Sequence, residues 1–178
     1  MKRTLLELTQ SILNDLDGEA VNSIFDTEEA IQYANVVRDT YFNIVAARQT
    51  PEHDELLKLT ALSDSSKPTI LKYPTNLKEI RLFEYDGKEV YWKDPIRFLD
   101  NLPNADDPNV VSFTDPVSGI VLTCRSDKGP RYYTSFDNEY LICDSFDLSV
   151  DTTLQESKTR CWGTKYPTFT MSDSFTPD

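Results

Sequence analysis

The chain has 178 residues, 39% apolar and 11% aromatic, enough for one domain of ordinary size with a core of its own. Thirty Asp and Glu stand against 18 Lys and Arg, a formal net charge of -12. That balance excludes a chain-wide grip on nucleic acid, though not a surface past which DNA slides without sticking. No apolar run is long enough to span a bilayer, and the basic start Met1-Lys2-Arg3 soon meets Glu7, Asn14, Asp15 and Asp17. No signal peptide and no membrane partner are expected, and the chain reads as soluble and made in the cytoplasm.

Thr4 to Leu16 reads as a first helix, with Leu5, Leu8, Ile12 and Leu16 on one face. Thr4 and Glu7 form a capping box, and Gly18 suits the left-handed position after the end. The longest patterned stretch follows, Asp26 to Arg48. Ala30, Ile31, Ala34, Val37, Tyr41, Ile44 and Val45 recur there at helical spacing. Asp26 with Glu29 predicts a second capping box, Phe25 and Ala30 occupy the staple positions, and Thr50-Pro51 stops the ladder. Two amphipathic helices on a short link predict an antiparallel pair. Two alone leave apolar surface uncovered, so a third element or a neighbour must cover it.

Beyond Pro51 the period changes. Leu56–Leu62 is ambiguous between strand and helix. Ile70–Tyr73, Leu77–Tyr85 and Lys88–Trp92 read as strands, the last two joined by a two-residue turn at Asp86-Gly87. Asp94-Pro95 opens a short helix near 95–102, with Ile96, Leu99 and Leu102 inward and Pro103 as its stop. Two hairpins follow, Val111–Thr114 with Ile120–Cys124 and Arg131–Phe136 with Tyr140–Cys143. Thr159–Thr164 is a further strand candidate, and Ser172–Asp178 is polar with a lone Phe175. Helices first and strands after predict an α+β fold: a helical bundle region over 1–66 and a β-rich antiparallel region over 67–178.

Catalytic signatures are scarce. His53, the sole histidine, sits in the polar turn Pro51–Glu55 and reads as solvated. No G-x-S-x-G, P-loop or G-x-G-x-x-G occurs, and no enzyme activity or cofactor is expected. Cys124, Cys143 and Cys161 are widely spaced and odd in number, which points to buried free thiols in a reducing compartment. Asp144, Asp147 and Asp151, and Asp106-Asp107, have the oxygen ligands a calcium ion takes, but not the spacing of an EF-hand loop. They read first as turn residues, and no metal site is expected. Tyr132-Tyr133, Trp162, Tyr166 and Phe169 make the second half aromatic-rich, either as sheet core or as partner contacts. An acidic pair serving a hydrolase is a weaker reading.

The order of segments carries a resemblance. Thr4 to Leu16 reads TLLELTQSILNDL, and Val21 to Asp39 reads VNSIFDTEEAIQYANVVRD before Thr40-Tyr41-Phe42. Lys67-Pro68-Thr69 precedes the Asp86-Gly87-Lys88-Glu89-Val90 hairpin. Then come Tyr132–Asp137, Tyr140–Asp147 and Tyr166-Pro167-Thr168-Phe169. Taken in line, this set resembles the adaptor of short-tailed bacteriophages, the head-to-tail connector also called tail tube protein A. The resemblance runs over almost the whole chain and rests on the collinear set, since no single motif is diagnostic. It implies a virion protein: a homo-oligomeric ring, usually dodecameric, between the portal protein and the tail nozzle protein, often helping to hold tail fibres. DNA would pass through its centre only in transit.

Family members continue past the Phe175-Thr176-Pro177 region into C-terminal helices that complete the bundle and meet the portal; this sequence shows none. The helix Asp26–Arg48 is therefore expected to be underfilled by its own chain. Tyr33, Val36 and Tyr41 at its margin would meet the neighbouring subunit. Trp162, Tyr166, Phe169 and Phe175 are the candidates for a partner interface. The alternative reading is a carbohydrate- or calcium-binding β module on a helical stalk.

Overall fold

The computed structural model describes residues 2–47, 54–62 and 64–177. It is an α+β protein, two N-terminal helices followed by a β-rich region of mainly antiparallel sheets. The chain divides into two compact units, Met1–His53 with Tyr166–Asp178, and Asp54–Lys165. This division differs from the expected boundary at 66/67. Residues 54–66 join the β-rich unit because they pair with strands far along the chain, and the last residues join the helical unit. The helix stop at Thr50-Pro51, Arg48 and the His53 turn lie outside the described residues, as does the side chain of Val45.

In the helical unit, α1 spans Leu5–Asp15. Its capping box forms as predicted: the Glu7 amide donates to Thr4 Oγ1 at 3.2 Å, and the Thr4 amide donates to Glu7 Oε2 at 2.8 Å. Its other end closes with the Gly18 amide on the Leu13 carbonyl at 2.8 Å. Asp17, not Gly18, takes the left-handed conformation there. Gly18 is needed for another reason: a Cβ on it would lie 3.0 Å from Leu13 Cδ2. The buried face is Leu5, Thr9 and Leu13, rotated from the expected Leu5, Leu8, Ile12 and Leu16, and Leu16 is exposed.

Helix α2 spans Glu28–Ala47. Its cap is Thr27, whose Oγ1 accepts from the Ala30 amide at 3.0 Å, and the predicted Asp26–Glu29 box does not form. Asp26 instead ties the preceding turn, accepting from the Asn22 and Ser23 amides at 2.7 and 2.9 Å. Phe25 is exposed, so the expected staple to Ala30 does not form either. Ala30 and Ala34 are fully buried, as the periodicity requires.

The third element that the two helices need is the chain's own tail. Phe169, Met171 and Phe175 pack against the core of Leu5, Ile24 and Ala34. The carbonyls of Phe175 and Asp173 accept from the first-turn amides of Leu5 and Leu6 at 2.6 and 3.3 Å. Those amides have no partner inside the helix, so the tail both covers an apolar face and completes a helix end. Asp173 Oδ1 also accepts from the Ile24 amide at 2.8 Å. Helix α2 is thus not underfilled on this face, contrary to the sequence expectation.

In the β-rich unit the strands are β1 (Asp54–Leu57), β2 (Thr60–Ala61), β3 (Ile70–Lys72), β4 (Leu77–Tyr85), β5 (Lys88–Glu89), β6 (Tyr91–Trp92), β7 (Val110–Thr114), β8 (Val121–Arg125), β9 (Tyr132–Thr134), β10 (Tyr140–Cys143) and β11 (Thr159–Lys165). One sheet runs β1-β11-β4-β5, a second β2-β3-β10-β9-β6, and β7-β8 forms a two-stranded ribbon. All pairs are antiparallel except β6 with β9. Asp86 and Gly87 both have positive φ, 51° and 72°, as the predicted turn between β4 and β5 demands.

The expected strand Lys88–Trp92 is split. At buried Val90 the chain leaves the first sheet and enters the second, and buried Leu59 marks the same passage from β1 to β2. Both sheets and the ribbon share one core, including Leu57, Ile70, Phe83, Leu122, Leu141 and Cys161. Helix α3, Pro95–Leu99, is capped by Asp94, whose Oδ1 accepts from the Ile96 amide at 3.0 Å. Its buried residue is Phe98; Ile96 points to solvent, while Leu99 and Leu102 are partly buried.

Candidate functional site

On α2 the residues three and four apart share a face. Ala30, Ala34, Val37 and Tyr41 form the inward one. Tyr41 is only 9% exposed and its ring lies 5.6 Å from that of Phe169, so its expected place at a subunit interface is corrected. The tail has taken it. Tyr33, Val36 and Ile44 lie round the helix on an adjoining ridge. Val36 is 50% exposed and Ile44 52%, while Tyr33 is half-buried and donates its hydroxyl to Glu29 Oε1 at 3.2 Å. Ile44 counted in the sequence as part of the buried stripe. It is exposed instead.

The four residues proposed for a partner interface separate. Phe169 and Phe175 are half-buried in the helical unit, their rings 4.5 Å apart. Tyr166 is exposed. Trp162 is 42% exposed and stands at the centre of an apolar row across the first sheet: β11 places it opposite Leu56 of β1 and Leu82 of β4. Leu56, which the sequence reading did not single out, is 63% exposed. Ion pairs flank this row, Arg81 with Asp54 at 2.7 Å and Arg160 with Glu84 at 3.4 Å. An apolar centre with a polar rim is the anatomy of a protein interface.

The carboxylates are used locally. Asp144 Oδ1 accepts from the Arg131 and Tyr132 amides at 2.9 and 3.0 Å. Asp147 accepts from the Ser149 amide at 3.0 Å and Asp151 from the Thr152 amide at 2.7 Å. Asp147 and Asp151 each close their own turn, whereas Asp144, just after β10, holds the start of β9. Asp107 pairs with Arg125 at 3.0 Å, and Arg125 also forks onto Asp127. Among the described residues no cluster of three His, Cys, Asp or Glu is placed to hold a metal ion.

The three cysteines are buried and unpaired. Burial pushes the Cys124 and Cys161 thiols up to about 12, and Cys143 well above its ordinary range. Only the thiolate is nucleophilic, so the folded protein should leave all three unreacted with Ellman's reagent at mildly alkaline pH, and denatured protein should titrate all three. Prompt labelling of any one in the folded state would refute this.

No protein-family model matches the chain, and no curated protein matches it.

Proposed function

We propose that the chain is a ring-forming adaptor of a short-tailed bacteriophage virion. It joins the portal protein to the tail nozzle protein, helps hold tail fibres, and surrounds DNA in transit. The observation that carries this reading is the ridge Tyr33–Val36–Ile44, left open after the tail has covered the other face of the same helix. A closed ring needs such a surface on every subunit, and a heterologous contact repeated round an axis closes it. The collinear resemblance supports the reading too. So does charge: the helical unit holds 11 Asp and Glu against 4 Lys and Arg, a net of -7. An acidic wall lets DNA pass without holding it. The Trp162 row is the candidate surface for the nozzle or the fibres.

The test is assembly. Negative-stain images of the chain mixed with the portal protein of the same genome should show rings. Val36→Asp should stay folded, because exposed substitutions typically change stability by no more than about 0.5 kcal/mol, yet remain monomeric. Monomers without portal fit the proposal, since a template can drive the assembly. Monomers of the unaltered chain both with and without portal sink it, and rings from the Val36→Asp chain move the interface to another face.

A further inference from the structure

A ring contact is heterologous, so the ridge Tyr33–Val36–Ile44 of one copy must meet a different surface on the next. Charge narrows the choice of that surface. Two chains of net charge -12 repel, and a contact is least opposed where neither side carries charge. The ridge meets that condition. From Ala30 to Ala47 helix α2 holds only two charged residues, Arg38 and Asp39, and these pair with each other at 2.9 Å. Thr40, exposed between Val36 and Ile44, continues the neutral strip.

In the β-rich unit the end of the β7-β8 ribbon meets the same condition. Val117 is 54% exposed, Ile120 37% and Val121 66%. In a chain with 27% charged residues, Asn109–Cys124 has a single one, Asp115, and it is buried. Its Oδ2 accepts from the Val117 and Ser118 amides at 3.3 and 2.6 Å and from the Ser118 hydroxyl at 2.6 Å. The Asp115 amide donates to the Ile120 carbonyl at 2.9 Å, and the Gly119 amide to the Asp115 carbonyl at 3.1 Å. The turn is held in one shape by its own bonds, so docking it costs little further ordering. Register places Val121 opposite Thr114, and Ser112 opposite Thr123, which keeps the strands beside the tip uncharged too. Among the described residues, every other exposed large apolar residue of this unit has an unburied charged residue within two positions, from Leu56 with Glu55 to Trp162 with Arg160.

We infer that the tip Val117–Ile120–Val121 of one subunit packs on the ridge Tyr33–Val36–Ile44 of the next. This rests on the ring reading and names the second half of its repeating contact. Ridge against ridge would press together two helical units of net charge -7 and close at two copies. Tip on ridge sets a helical unit against a β-rich unit with 19 Asp and Glu and 14 Lys and Arg, a net of only -5. It also leaves each copy a free half for the following one.

Assembly with the portal protein of the same genome, read by negative stain, tests it. Val121→Asp should lose the rings that the unaltered chain forms, while its circular dichroism melt stays unchanged. Leu148→Asp, at another exposed apolar residue of the same unit, should keep them. Cross-linking with a short bismaleimide reads the contact directly, because the three native cysteines are buried. Val36→Cys and Val121→Cys chains assembled together should give a linked dimer of one of each, and either variant alone should give none. Rings from Val121→Asp overturn the inference and leave the ring reading intact; if those rings no longer take the nozzle protein, the tip belongs to that partner. Self-linking of the Val36→Cys chain, or rings of the mixed variants without cross-links, also overturn it. If the unaltered chain forms no ring with portal, the ring reading falls and takes this inference with it.

Discussion

Gly163→Ala should destabilise the β-rich unit by about 3 kcal/mol, near the upper end of what a steric insertion into a packed interior costs. Gly163 lies on β11, the central strand between β1 and β4. Between Trp162 and Gly163 the pairing register with β4 shifts, from Leu82 to Ile80. The shift drives the β4 backbone against the glycine. A Cβ there would run into the Glu79 carbonyl oxygen and the Leu57 side chain, and would lie 3.2 Å from Ile80 Cα. Leu57 can turn aside, but the β4 backbone at Glu79 and Ile80 is paired to β11 and yields only by disturbing that ladder. Urea unfolding followed by tryptophan fluorescence reads the cost. Gly87→Ala is the control: its positive φ is strained for alanine, yet nothing lies within 4 Å of the added carbon, so about 1 kcal/mol is expected. Equal losses in the two variants would show that conformation, not close approach, is what Gly163 supplies.

Phe169→Ala should cost the helical unit about 2–3 kcal/mol, below the 3–5 of a fully buried phenylalanine because the ring is half-buried. Its ring meets those of Tyr41, Phe42 and Phe175 at 5.6, 6.0 and 4.5 Å. Losing it removes apolar burial and also loosens the tail that supplies carbonyls to the first turn of α1. The effect should therefore reach beyond packing. Helical circular dichroism should melt at lower urea, and Tyr41 should become exposed. An altered Tyr41 environment, measured by ring NMR shifts, together with a smaller helical signal is the expected pair. A Phe169→Ala chain with unchanged helix stability would mean that the tail rests on the helices without supporting them.

Much of the local structure was legible in the residues. The Thr4–Glu7 box, the Asp86-Gly87 turn, the Asp94 cap and the two hairpins after Pro103 each depend on groups a few positions apart. Such groups meet whatever the rest of the chain does. Errors began where two readings were locally equal. Asp26 and Thr27 are both good caps, and the carboxylate of Asp26 went to the Asn22 and Ser23 amides. Leu5, Leu8, Ile12 and Leu16 make as good a stripe as Leu5, Thr9 and Leu13. The tail decided between them by donating its cover to one side. Of the interface candidates, Val36 and Trp162 stayed exposed for reasons their neighbours set, while Tyr41 and Phe169 found each other.

By itself the sequence determined the class, α+β with helices first, the caps at Thr4 and Asp94, most of the strands and the burial of the three cysteines. These follow from side-chain period and from hydrogen bonds that span at most a turn. Only the tertiary structure decided that β1 pairs with β11, that Val90 passes the chain from one sheet to the other, and that Phe169, Met171 and Phe175 close the helical unit. Each of these joins segments with no shared local pattern. Their free energy comes from area removed from water jointly, a quantity no single segment possesses.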